Sequence, residues 1–145
     1  MRNIKFRGKN LKTGQWVYGF YVHLMDSFRK RETHRIYTGL ADSMPDSEGY
    51  DFSEDCEDVD PKTVGQFTGL EDINGKEVYE GDIVRYRLTD ERYKKNPRFA
   101  NLPVAYDESQ ARFEAGNIYW DTLRSGKIEV IGNIYDNHGF LERKG

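Results

Sequence analysis

Apolar and polar residues alternate with a period of two along most of this chain, and sustained 3.6-residue periodicity is missing. Ile4 and Phe6 alternate with Lys5 and Arg7, which predicts a short strand with one buried face. Gln15–Leu24 (QWVYGFYVHL) is the strongest strand signal. Trp16, Tyr18, Phe20 and Val22 point one way, and Val17, Gly19 and Tyr21 the other. Apolar groups on both faces predict a central strand or one lying in an oligomer contact. Strand signals follow at HRIYTG, at Val64–Phe67, at Asp82–Leu88, and at residues 103–107, 110–114, 117–121 and 127–135. In the last of these Ile128, Val130 and Ile134 share a face that Gly132 interrupts.

Turn chemistry punctuates these runs. NLKTG (10–14) predicts a turn. Asn74-Gly75 predicts a tight two-residue hairpin turn of type I′, whose central residues both need positive φ. Gly81-Asp82 predicts a second turn before the β-branched pair Ile83-Val84. Residues 89–102 read as a polar, basic connection with room for a helical turn before Pro97, and the end, Asp136–Gly145, as a place for a short helical turn. About eight short strands, Gly- and Asn-rich turns and no helix of three turns predict a mainly β protein. The expected architecture is one domain over 1–145, a small, strongly curved antiparallel barrel with at most short helical turns. Gly19, Gly65, Gly81 and Gly132 sit where bends help it close.

Composition sharpens this. At 145 residues one core is the natural size. Aromatic residues make up 14% of the chain, with ten Tyr and eight Phe, so a few large rings can fill that core. The single cysteine, Cys56, excludes an internal disulfide and fits a reducing compartment. The charged start MRNIKFRGKN has no apolar run of signal-peptide type, and no stretch is long enough to span a bilayer, so a cytoplasmic protein is expected.

The formal net charge is −3, but it is unevenly spread. Residues 1–40 hold nine Lys/Arg against Asp26 and Glu32, a net of +7; residues 41–61 hold nine acids and no Lys or Arg, a net of −9; the remainder nets −1. Residues 41–61 therefore read as an acidic loop insertion ending in Pro61. It either folds back, solvated, beside the basic region or shields a binding face. The first is the ordinary outcome, since exposed ion pairs contribute little.

Three matching pieces, in order along the chain, carry a resemblance to a known family: IKFRGKNLKTGQWVYG (Ile4–Gly19), VGQFTGLEDINGKEVYEGDIV (Val64–Val84) and IEVIGNIYDNHGFLE (Ile128–Glu142). The chain resembles the YopX family of phage and prophage proteins. Gly8-Lys9-Asn10 stands where members often have Ala-Trp-Asp after the opening Lys-Phe-Arg. The resemblance implies a β-rich intracellular protein carried by a phage or an integrated element. It implies no known reaction, so no catalytic residue can be carried over.

The residues themselves name no catalytic set, cofactor or metal site. Gly69–Glu77 fails as a phosphate loop: five residues separate Gly69 from Gly75, and Glu77 follows Lys76 where Ser or Thr is needed. Asp72-Ile73-Asn74-Gly75 fails as a calcium loop, since its twelfth position is Ile83. Around Cys56, the acids Glu54, Asp55, Glu57 and Asp58 oppose thiolate formation. His23, His34 and His138 lack local metal-ligand spacing. An enzyme is therefore the least supported class.

Two binding classes remain. Lys5, Arg7, Lys9 and Lys12 lie near Trp16, Tyr18 and Tyr21, and Arg29, Lys30, Arg31 and Arg35 form a second basic group. Cations beside aromatic rings are how small barrels hold single-stranded nucleic acid. Against this, the total charge is negative and stacking needs exposed rings. The favoured expectation is a non-catalytic accessory protein that self-associates or binds a phage or host protein, using the two-sided apolar strand at 15–24.

Overall fold

The computed structural model describes residues 3–38, 56–88, 94–96, 98–116, 118–119 and 128–141. They form ten strands: β1 (Phe6–Asn10), β2 (Trp16–Asp26), β3 (Arg31–Tyr37), β4 (Cys56–Glu71), β5 (Glu77–Tyr79), β6 (Asp82–Leu88), β7 (Arg98–Asp107), β8 (Arg112–Ala115), β9 (Ile118–Tyr119) and β10 (Ile128–Asn133). The helical element among these residues is one 3₁₀ turn, His138–Phe140. The fold is mainly β and antiparallel, with a small closed barrel, as the alternating pattern predicts. The chain divides into two compact units, Met1–Gln66 and Phe67–Gly145.

In the first unit β1 pairs with β2, β2 with β3, β3 with β4, and β4 returns to β1, so four antiparallel strands close a ring. Its core is small: Val17, Ile36 and Val59 are buried, with Tyr21 and Val64 packed against them. Gly8 faces this core, where a Cβ would lie 3.1 Å from Val59 Cβ, so the absence of a side chain lets β1 approach β4. Gly19 on β2 has φ +156, and a Cβ there would lie 2.1 Å from the Tyr37 carbonyl oxygen of β3. That close approach accounts for the glycine in the middle of the strongest strand.

The acidic stretch does not continue as a loop to Pro61. Cys56–Pro61 is the start of β4, and residues 41–55 lie outside the described residues. Val59 turns into the core while Glu57 and Asp58 stay exposed, a half-buried alternation that the density of acids obscures. The pairing of β4 with β1 shifts register between Gly65 and Asp60, and Pro61, which has no N–H to donate, sits in that irregularity.

The second unit contains a five-stranded sheet in the order β10-β6-β7-β8-β9, together with the end of β4 paired with β5. Val78, Val84, Tyr86, Val104, Ala115 and Ile128 form its buried cluster. β7 begins at Arg98, so the second part of the expected connection at 89–102 is strand. Residues 94–96 form a bend, and 89–93 and 97 lie outside the described residues. Phe99 and Asn101 pair with Arg87 and Arg85 of β6, so the ladder extends β7 where local composition is polar. A register shift between Val130 and Gly132 places a bulge where the sequence shows the interruption of β10.

Candidate functional site

The hairpin from β1 to β2 sets the basic and aromatic residues. Antiparallel pairing puts Lys9 opposite Trp16 and Arg7 opposite Tyr18. The Arg7 guanidinium lies 4.4 Å from the Trp16 ring centroid, and Lys9 Nζ lies 5.4 Å from it. Arg7 is only 4% exposed, which removes it from contact with a diffusing phosphate. Trp16 is thus already engaged by two cations of its own chain. Lys5 precedes β1 and is half-buried, and Lys12 lies in the exposed turn after β1, where Asn10 Oδ1 accepts the Lys12 N–H at 2.8 Å.

The second basic group lies at the other end of β2. Arg29 and Lys30 occupy the β2–β3 turn, Lys30 with φ 49, and Arg31 pairs with Asp26. Asp26 Oδ1 accepts the Phe28 and Arg29 N–H groups, and the Arg29 side chain reaches the Asp26 carboxylate at 3.9 Å. Ten residues of strand separate Trp16 from Asp26, about 30 Å at the usual rise. Arg35 Nε donates to Asp58 Oδ1 at 2.8 Å, and this hydrogen bond, foremost among several causes, raises the Arg35 pKa. The predicted cations and aromatics therefore fall into separate groups. One of the acids of the 41–61 stretch is paired with one of these cations.

The signature turns prove to be anchored by buried carboxylates. Asn74 and Gly75 lie between β4 and β5, but only Gly75 has positive φ, at +79. The Asp72 and Lys76 backbones close a three-residue loop, with the Asp72 N–H donating to Lys76 O at 2.8 Å and the Gly75 N–H to Asp72 O at 3.0 Å. This is a type I turn followed by a left-handed glycine rather than the two-residue I′ turn predicted. The reason is Asp72, whose Oδ1 accepts the Asn74 and Lys76 N–H groups and whose Oδ2 accepts the Val130 N–H of β10. Burial pushes the Asp72 pKa up, but those three N–H groups and nearby Lys76 outweigh it and hold the carboxyl below its ordinary value. At the second turn Gly81 has φ +87, and buried Asp82 accepts the Tyr79 N–H at 2.8 Å.

A different cluster is not visible to local spacing. The β2–β3 hairpin continues beyond the barrel's closure, since β1 meets β2 only as far as Gly19 and β4 meets β3 only at Arg35–Tyr37. On the face that continues from Val17 and Ile36, the register sets His23 directly opposite His34, with Glu32 two residues before it. The two imidazoles stack at 4.3 Å with 10° between planes. Glu32 Oε2 lies 3.7 Å from His34 Nε2 and 4.0 Å from His23 Nε2. The other nitrogen of His34, Nδ1, is 2.5 Å from the Tyr21 hydroxyl. Burial, and then the charge of Glu32, raise the Tyr21 pKa, so the phenol stays neutral. Searching for ligands along the chain misses this group, because its spacing is that of a hairpin. Pairing Asp26 with Arg31 across the turn at 27–30 is the signal that would have aligned the two histidines. Cys56 pairs with Tyr37 at the start of β4, and His138 begins the 3₁₀ turn of the second unit.

Opposite this face, β2 turns a row of apolar side chains outward. Tyr18, Phe20 and Leu24 are 47%, 51% and 52% exposed, and Phe28 in the adjoining turn is 99% exposed. The two-faced pattern at 15–24 is thus a core-facing side and an outer side that is half-buried at Trp16 and Val22 and exposed at Tyr18, Phe20 and Leu24.

Comparison with known proteins bears on the fold and the family. Residues 5–142 match the family described as YopX protein. The crystal structure of protein EF1440 from Enterococcus faecalis is similar to this chain, with a TM-score of 0.57 and 23% sequence identity over 97% of this chain and 99% of that one. At that identity the likeness concerns the fold alone. No curated protein matches.

Proposed function

The chain belongs to the YopX family, and from that premise we propose that it is a phage- or prophage-encoded accessory protein that acts by binding rather than by catalysis, associating first with a second copy of itself. The observation that carries this reading is the outward apolar row of β2, Tyr18, Phe20 and Leu24, continued by fully exposed Phe28. Large apolar side chains gathered on one strand face are costly to leave in water and mark interaction surfaces. Leu24 and Phe28 also lie on a two-stranded extension of the barrel, and a hairpin of two strands is marginal without support on a face. A second copy laid on this row would bury the apolar groups and stiffen the extension together.

The non-catalytic part of the reading is supported by the work the buried carboxylates do. Asp72 and Asp82 accept backbone N–H groups in turns, which is an architectural role. The nucleic-acid reading has weaker support, because Arg7 is buried, Trp16 is engaged by Arg7 and Lys9, and Arg35 is paired with Asp58. Under the favoured reading the protein works in the cytoplasm of the bacterial host. No helix among the described residues is long and apolar enough to cross a membrane.

Size-exclusion chromatography with light scattering tests the proposal. The wild-type chain is expected to run as a dimer or larger species, and Phe20→Glu with Leu24→Glu as a monomer of unchanged dichroism. A monomeric wild type at tens of micromolar overturns self-association. Capture from lysogenic host cells, with and without nuclease, then separates a protein partner from nucleic acid.

A further inference from the structure

We propose that His23, Glu32 and His34 form a binding site for a divalent transition-metal ion of the zinc type. Each offers one ligand atom, and the three atoms lie within 4.8 Å of one another. The separations of 3.7 Å and 4.0 Å from Glu32 Oε2 to the two Nε2 atoms lie close to the separation that ligation requires. Zinc bonds of roughly 2.0–2.2 Å in tetrahedral geometry place neighbouring ligand atoms about 3.4 Å apart. The remaining adjustment is within reach of side-chain rotation, since the His23 and Glu32 side chains are 48% and 54% exposed.

The hairpin holds the three ligands in register. His23 and His34 are a cross-strand pair, and Glu32 is two residues from His34 on the same strand face. Both Nε2 atoms lie near the same carboxylate oxygen, and the exposed His23 ring turns out of its stack on His34 for both lone pairs to meet one ion. His34, the least exposed of the three at 16%, is oriented from behind. Ligation through Nε2 requires the proton on Nδ1, and the Tyr21 hydroxyl stands 2.5 Å from Nδ1, where it accepts that N–H. Such a partner behind a ligating histidine fixes both tautomer and ring angle.

The donor set selects the ion. Two imidazole nitrogens and one carboxylate suit zinc, iron, cobalt, nickel or copper, whereas calcium and magnesium prefer oxygen ligands throughout. Three protein ligands on an open strand face leave a coordination position for water or for a group from a partner.

Isothermal titration of the full chain with zinc chloride, with magnesium chloride as control, tests the site. One zinc per chain is expected at micromolar affinity or tighter, with no magnesium uptake. His23→Ala and His34→Ala should each weaken binding at least thirtyfold, and Tyr21→Phe about tenfold, in line with the usual effect of a supporting partner. Cys56→Ser and His138→Ala should leave it unchanged. Because His23 is exposed, its variant reports even if His34→Ala disturbs packing. Nitrogen-15 spectra should show both Nε2 atoms shifted by zinc while His34 Nδ1 keeps its proton. Uptake weaker than millimolar, uptake without a defined stoichiometry, or undiminished binding in the His23→Ala/His34→Ala double variant overturns the proposal.

Discussion

Replacing Asp72 should loosen the second unit far more than its place in an exposed turn suggests. Its carboxylate is 8% exposed and accepts three backbone N–H groups, from Asn74, Lys76 and Val130. In Asp72→Ala, Asn74 and Lys76 lie in an exposed turn where water replaces the carboxylate, so each lost bond costs about 0.5–1 kcal/mol. The Val130 N–H sits in β10 and is only partly accessible, and leaving it without an acceptor costs about 1–3 kcal/mol. The sum is about 3 kcal/mol, a large share of the stability of a small unit. Asp72→Asn keeps one acceptor oxygen but sets an amide N–H against one of the donors, for about 2 kcal/mol. The pH dependence gives a second signature. Because the native carboxyl is held below its ordinary value, its stabilisation is complete above that ordinary value, about 3.9, and is lost as pH falls through the lower native one. Urea unfolding followed by circular dichroism at pH 7 and at pH 3 measures both effects, and hydrogen exchange at the Val130 amide localises them. The wild type should lose more stability than Asp72→Asn between the two pH values. A loss below about 1 kcal/mol for Asp72→Ala, or equal acid sensitivity of wild type and Asp72→Asn, refutes the reasoning.

Two further substitutions probe the barrel. Gly19→Ala, whose Cβ would meet the Tyr37 carbonyl oxygen at 2.1 Å, should cost about 3 kcal/mol or more, because backbone must shift and a positive φ disfavours alanine; a loss under about 1 kcal/mol in urea unfolding would show that β2 and β3 separate easily. Ile36→Ala removes one of three buried residues of a small core and should cost about 3–4 kcal/mol, read in the same assay as a lower midpoint.

Where a residue's neighbours in sequence decide its conformation, the fold was legible. β6 spans the expected Asp82–Leu88, and Gly75 and Gly81 take the positive φ that turns demand. The two faces of Gln15–Leu24 and the central place of β2 between β1 and β3 were legible, but pattern alone cannot tell a covered outer face from an exposed one. Cys56–Pro61 was obscured because Val59 is one inward residue among acids, and its burial depends on partners in β1 and β3. Asp72 looked like a failed calcium ligand, and its acceptor role depends on Val130, 58 residues away. The histidine cluster was hidden for the same reason, since strand register is set by the turn at 27–30 and not by ligand spacing.

The seam between β1 and β4 joins Phe6 to Gln66 and Asn10 to Val59. During synthesis the first strand therefore emerges long before the partner that completes its ring. Until β4 follows it out, β1 has only β2 to hold, and the growing chain carries an open, hydrogen-bond-hungry border. A ribosome stalled before residue 66 clears the exit tunnel would hold a sticky half-ring, whereas once β4 is outside the same segment could seal itself.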